Sequence, residues 1–322
     1  MKFLALPLLI VAAVSSPVSG QLASPLDPSS WNPVNRAIET SFPLQDQVGA
    51  RLALPFNSTA DTPDWKIARL MAELSFLAYE DSIASVQNRL RLYDLALGEF
   101  VTVDNHHFIT AWDQQNDVLV IAFRGTDIAQ LADYWTDLDY EKIVTELGEV
   151  HKGFYDATQA LMRSVVAAIE HRGNPRHVWL TGHSLGGAIA TLSMQQLELH
   201  GHPVKGLVTF GQPRVGAHAF TTAMNRSLGT RMLRFINEDD VVTSLPPRIP
   251  LVLPAYYSGG SVIRFLNGTI VRSPGPVVQG TQPTRGVDDL FGSPPDDDAV
   301  AVDPFGDLSP TQSSDFDVTA PN

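Results

Sequence analysis

The sequence predicts an α/β fold with a mostly parallel central sheet, and three observations carry that prediction. Apolar runs of strand length alternate with segments of helical spacing through the middle of the 322-residue chain. One of these runs, Val178-Trp179-Leu180, leads directly into the glycine-rich turn Gly182-His183-Ser184-Leu185-Gly186-Gly187 and then into a helix. No internal repeat is present, and one domain of roughly 220–250 residues plus tails accounts for the length.

The elements follow in order. Asp64-Trp65-Lys66 opens a run with Ile67, Leu70, Met71, Leu74, Leu77 and Ala78 at helical spacing. His107–Trp112 and Val118–Phe123 flank the polar turn Asp113–Asp117, which reads as a β-hairpin with a buried second strand. An amphipathic helix over 155–171 stops at Gly173-Asn174-Pro175. After the glycine-rich turn come a helix to about His200, a strand Val204–Phe210, a helix over about 217–227 and a strand Met232–Ile236.

Composition narrows the chemistry. The absence of cysteine excludes disulfide scaffolds, thiolate metal sites and thiol nucleophiles. A net charge of −13 argues against nucleic acid as a partner. Residues 273–322 carry nine Asp and one basic residue, Arg285, and the Asp-rich pieces lack the alternating spacing of a calcium loop. With their prolines they read as a flexible acidic tail. No cofactor motif is present, and no metal site is expected.

At the other end, Met1-Lys2 precedes an apolar run from Phe3 to Val14 and then small residues to Gly20. That is the pattern of a secretory signal peptide, cut near Gly20. The run is shorter than the ~20 residues of a membrane span. The expected organisation is a signal peptide (1–20), a Pro-rich leader (21–63), an α/β domain (64–272) and the acidic tail (273–322), with no transmembrane segment.

Gly182-His183-Ser184-Leu185-Gly186 matches G-x-S-x-G. Glycines two residues to either side permit a sharp strand-to-helix turn that holds a serine hydroxyl exposed, as a nucleophile elbow requires. The bland alternative is a close-packed or phosphate-cradling turn, but it lacks the Lys-Ser/Thr ending of a P-loop.

With Val208-Thr209-Phe210-Gly211-Gln212-Pro213-Arg214-Val215-Gly216 this stretch resembles the class 3 (fungal-type) triacylglycerol lipase family. Phe123-Arg124-Gly125-Thr126, Trp135-Thr136-Asp137-Leu138, Val150-His151-Lys152-Gly153-Phe154 and Asn237-Glu238-Asp239-Asp240 match in family order. The resemblance implies an α/β-hydrolase fold, a lipid ester substrate, and an acyl-enzyme on Ser184. It also implies an oxyanion hole from Thr126 and the Leu185 amide, with Asp240 as the acid of a triad. Thr126 also suits a helix cap, which is compatible with the first role. Asp240 also suits a carboxylate fixing its own turn, although its place after Ser184 in the chain favours the catalytic reading. Ile128, Leu131, Ala132 and Trp135 recur at helical spacing. Residues 127–138 are accordingly either a lid displaced at a lipid–water interface or a docked surface helix.

One expected residue is missing. The triad's histidine should follow Asp240, yet the histidines are 106, 107, 151, 171, 177, 183, 200, 202 and 218. His218 is the least implausible substitute; His183 lies inside the elbow and His151 in a motif without that role. Where many relatives carry Tyr-x-His-x-Gly, this chain reads Tyr257-Ser258-Gly259-Gly260. A truncated lipase is the leading explanation, beside a lipid-binding pseudoenzyme and an unusual base. The expected function is a secreted serine ester hydrolase whose turnover is conditional on that base. Lipase, phospholipase and feruloyl esterase activities all occur in the family.

Overall fold

The computed structural model describes residues 48–58, 63–126, 140–237, 240–246, 255–266 and 269–273. The expected signal peptide at 1–20, the lid candidate at 127–138, Asp239 and the residues beyond Ser273 lie outside the described residues.

Three helices come first: α1 (Val48–Ala53), α2 (Trp65–Leu77) and α3 (Ile83–Arg91). The Asp64 carboxylate accepts from the amides of Lys66 and Ile67, so the predicted start of α2 is a side-chain cap. The sheet then begins with β1 (Ala96–Val103), β2 (His106–Asp113) and β3 (Val118–Phe123), the last two forming the predicted hairpin. A separate two-stranded ladder, β4 (Lys142–Thr145) with β5 (Gly148–His151), precedes α4 (Lys152–His171). The core motif follows as β6 (His177–His183), α5 (Leu185–Leu199), β7 (Val204–Phe210), α6 (His218–Leu228) and β8 (Met232–Asn237). A hairpin of β9 (Ser261–Leu266) and β10 (Thr269–Ser273) completes the sheet.

The strand order is β1-β2-β3-β6-β7-β8-β9-β10. From β3 to β9 every pairing is parallel, while β1, β2 and β10 add antiparallel edges. Helix crossovers explain the parallel centre, since parallel neighbours need long connections. β3 is buried along its whole length, and β6 and β7 along nearly all of theirs, because both faces of the sheet are covered. On one face, Val120, Trp179, Val208, Phe210, Leu233, Phe235 and Ile263 form a cluster with α1 and α2. The opposite face carries α5 and, packed on it, α4.

The packed core also includes residues ahead of Asp64. Leu52 of α1 is fully buried, and Trp179 Nε1 donates to its carbonyl at 2.9 Å. Under the turn that ends β6, Ser75 Oγ lies 2.8 Å from Thr181 Oγ1, which itself bonds the Val208 carbonyl at 2.8 Å. These buried hydroxyls fix α2, β6 and β7 in register beneath the site. Among the described residues, no helix is long and apolar enough to cross a membrane.

Candidate active site

Ser184 sits between the end of β6 and the first residue of α5, with φ 55° and ψ −128°. A non-glycine residue pays strain to hold that conformation. The strain is held in place from both sides. The Ser184 amide donates to the Phe210 carbonyl at 2.9 Å, and the Gly187 amide donates to the Ser184 carbonyl at 2.9 Å. Any Cβ on Gly182 would overlap the backbone of Gly186, so the turn closes only with glycine there. A Cβ on Gly186 would strike the Phe123 carbonyl, which shows how closely the end of β3 approaches the elbow. The sequence motif and the required strand–turn–helix context therefore coincide.

Ser184 is 1% exposed, and its Oγ has no hydrogen-bond partner among the described residues. The hydroxyls of Ser193 and Thr221 share that state, and what distinguishes Ser184 is its position. It lies at the N-terminus of α5, where amides without intrahelical partners and the helix dipole favour negative charge. Leu185 is the first residue of that helix and is buried. Thr126 follows β3 through Arg124 and Gly125, at the same carboxyl edge of the sheet. Gly125 touches the elbow directly: a Cβ placed on it would stand 3.3 Å from Ser184 Cβ.

Asp240 follows β8 and holds its own turn. Its Oδ1 accepts from the Val242 amide at 3.0 Å, capping the short 3₁₀ turn Val241–Ser244. Its Oδ2 points elsewhere, to 2.8 Å from the position a Cβ on Gly211 would take. Burial pushes the Asp240 carboxyl up to about 6, with the Val242 amide and Arg264 pulling the other way. The turn-fixing reading is thus correct for one oxygen, while the other faces the elbow side of Gly211.

The three histidines weighed as substitutes are placed as follows. His151 is buried at the start of α4, where Nδ1 accepts from the Phe154 amide and the ring stacks on Phe154 at 4.1 Å. His218 begins α6 and meets the ring of Tyr257 edge-on at 5.4 Å. His183 places Nδ1 2.9 Å from Tyr79 Oη, and desolvation pushes its imidazole down to about 4.

Two residues without an assigned role in the sequence brace the site. Gln212 Oε1 accepts from Thr191 at 3.1 Å and from Thr209 at 2.7 Å. Arg234, almost wholly buried on β8, donates to the Gln212 carbonyl at 3.0 Å, and burial pushes its guanidinium down to about 9. Arg214 joins this loop to the acid's turn, its amide donating to the Leu245 carbonyl at 2.7 Å and its Nη1 to the Pro246 carbonyl at 3.1 Å. The signal was the quoted Gly-Gln-Pro-Arg motif, whose polar residues have no chemical role in the triad. Among the described residues, no group of three or more His, Asp or Glu is arranged to hold a metal ion.

The comparisons agree with this geometry. Residues 120–249 match the family model for lipase (class 3), a segment that holds β3, the elbow and Asp240. The chain is 32% identical over 143 residues to the secreted mono- and diacylglycerol lipase 1 of Fusarium solani, covering 42% of each chain. It is 26% identical over 278 residues to the lipase of Rhizomucor miehei, covering 75% of this chain and 74% of that one. The chain thus spans less than half the length of the Fusarium relative. The crystal structure of a lipase from Rhizopus microsporus var. chinensis superposes with a TM-score of 0.55 at 21% identity, covering 69% of this chain and 82% of that one. That likeness, with the mostly parallel sheet between helices, establishes the α/β-hydrolase fold expected from the sequence. Over residues 120–249 the chain is thus similar to the class 3 lipase family.

Proposed function

We propose that this protein is a secreted serine ester hydrolase that cleaves carboxylic esters of lipids through an acyl-enzyme on Ser184. The observation that carries the reading is Ser184 itself: a strained, buried serine at a helix N-terminus whose Oγ has no partner among the described residues. In the first step Ser184 Oγ attacks the ester carbonyl, the bond to the alcohol breaks, and the alcohol leaves with the serine's proton. Water then cleaves the acyl-enzyme and releases the fatty acid. The Leu185 amide and Thr126 stabilise the oxyanion, a contribution of about 3 kcal/mol per donor, and Asp240 supplies the acid. The apolar N-terminal run and the secreted relative support export.

Turnover depends on a base, and no histidine follows Asp240 in the sequence. His151 and His218 are engaged in caps and ring contacts, and His183 reaches Tyr79. Without a triad histidine, the oxyanion donors and binding alone leave about 10³–10⁴-fold acceleration over water. That observation favours one second reading, a lipid-binding protein with impaired catalysis. Hydrolysis of a short-chain nitrophenyl ester, compared with Ser184→Ala, separates the two. Ser184-dependent turnover supports the hydrolase; equal rates with retained binding to phospholipid vesicles support the lipid binder.

A further inference from the structure

Three pieces of backbone must stay in register for chemistry at Ser184: the oxyanion strand end at Gly125-Thr126, the elbow, and the turn that carries Asp240. The side chain of His183 lies among all three. Its Nδ1 is 2.9 Å from Tyr79 Oη. On the far side of the ring, Nε2 comes within 3.4 Å of the position a Cβ on Gly211 would take, the same position that Asp240 Oδ2 approaches to 2.8 Å. One imidazole therefore spans from Tyr79 to the neighbourhood of the acid.

Tyr79 reaches the oxyanion strand as well. A Cβ on Gly125 would overlap Tyr79 Oη and stand 2.5 Å from the His183 carbonyl. Gly125 is thus pressed between the phenol and the elbow backbone, one residue before Thr126. The same strand end is held from outside. Arg124 Nη1 pairs with Asp81 at 2.7 Å, its guanidinium lies 5.7 Å above the Tyr79 ring, and its amide donates to the His107 carbonyl at 2.9 Å. Tyr79 itself is fixed just past α2, its amide donating to the Phe76 carbonyl at 3.0 Å.

We propose that Tyr79 and His183 form a positioning pair that aligns the oxyanion strand, the nucleophile elbow and the acid's turn; this rests on the reading of Ser184 as the nucleophile. In this pair the Tyr79 O–H donates and Nδ1 accepts, which puts the proton of the neutral imidazole on Nε2. Neither side chain takes the serine's proton in this account. Their part is geometric, and displacements of about 1 Å in such sites cost on the order of 100-fold in rate.

The test uses the full chain and two readouts. In ¹⁵N spectra of the imidazoles, His183 is expected as the Nε2–H tautomer in the wild type, with Tyr79→Phe removing the donor to Nδ1 and shifting that nitrogen's resonance. In fluorophosphonate labelling, Tyr79→Phe keeps the ring and its packing, and is expected to slow the modification of Ser184 by about 10- to 100-fold with little change in Tm. His183→Asn, whose amide keeps an acceptor near the Nδ1 position, should label faster than His183→Ala. A Tyr79→Phe variant that labels at the wild-type rate, or an Nδ1–H tautomer in the wild type, overturns the proposal. If the wild type itself does not label, the hydrolase reading fails separately. The pair is then decided by the spectra alone: a Nδ1 resonance that moves in Tyr79→Phe supports it, and one that does not move overturns it.

Discussion

Asp240 packs against residue 211 as closely as it does only because that residue is glycine. Its Oδ2 lies 2.8 Å from where a Cβ on Gly211 would stand, and Gly211 itself has φ +55°. The same residue donates its amide to the Phe235 carbonyl at 3.0 Å, which ties the loop to β8. Gly211→Ala combines left-handed strain with a steric push on the acid. We expect a fall in stability of about 1–3 kcal/mol and loss of Ser184 labelling, read by urea denaturation and fluorophosphonate modification. A variant that matches the wild type in both would remove Asp240 from the account of the site.

Two partly buried groups near Gly211 give opposite pH dependences. The Asp240 carboxyl, pushed up to about 6, binds its proton more tightly in the folded state than in the unfolded state. Its contribution is full below about pH 4 and is lost as pH rises to 6, about 3 kcal/mol in all. His183, pushed down to about 4, is held neutral by folding. Its contribution is full above about pH 6.5 and is lost as pH falls to 4, again about 3 kcal/mol. Between pH 4 and 6 the two slopes oppose each other. Asp240→Asn is therefore expected to raise Tm at pH 8, where the buried carboxylate is ionised, and to leave a decline as pH falls below 6.5. Thermal melts at pH 4.5, 6 and 8 check this, and a variant less stable than wild type at pH 8 would contradict it.

The segment before Asp64 is joined to the sheet centre through Trp179, whose Nε1 donates to the Leu52 carbonyl at 2.9 Å. Its ring also meets Phe56 edge-on at 4.8 Å. Trp179→Phe removes the donor and leaves a buried carbonyl unsatisfied, at a cost of about 1–3 kcal/mol. We expect the urea midpoint to fall with m unchanged, and proteolysis to cut within 48–58 sooner than in the wild type. Equal cleavage rates would show that this contact does not hold the segment.

The sequence was legible where apolar patterning and turn chemistry agreed. Asp64 announced α2, β7 spans Val204–Phe210 as expected, and the elbow lies between a buried strand and a helix that starts at Leu185. α1 went unread because six residues within a proline-rich stretch carry no usable period. β1 was missed because its residues are half-buried or exposed, without the alternation that marks a strand. The site was partly legible for a related reason. Glycines around Ser184 and an acid after β8 are local patterns. The contact between Tyr79 and His183 joins residues 104 apart, and the bracing of Gln212 by Arg234 joins the loop after β7 to the neighbouring strand β8. Such pairings come from the sheet order, which no local spacing encodes.

The central claim is that Ser184 is the nucleophile of an ester hydrolase, and covalent labelling tests it most directly. The full chain, treated with a fluorophosphonate and read by intact mass, is expected to gain one adduct that maps to Ser184 and is absent from Ser184→Ala. Labelling of the wild type no greater than that of Ser184→Ala would contradict the claim.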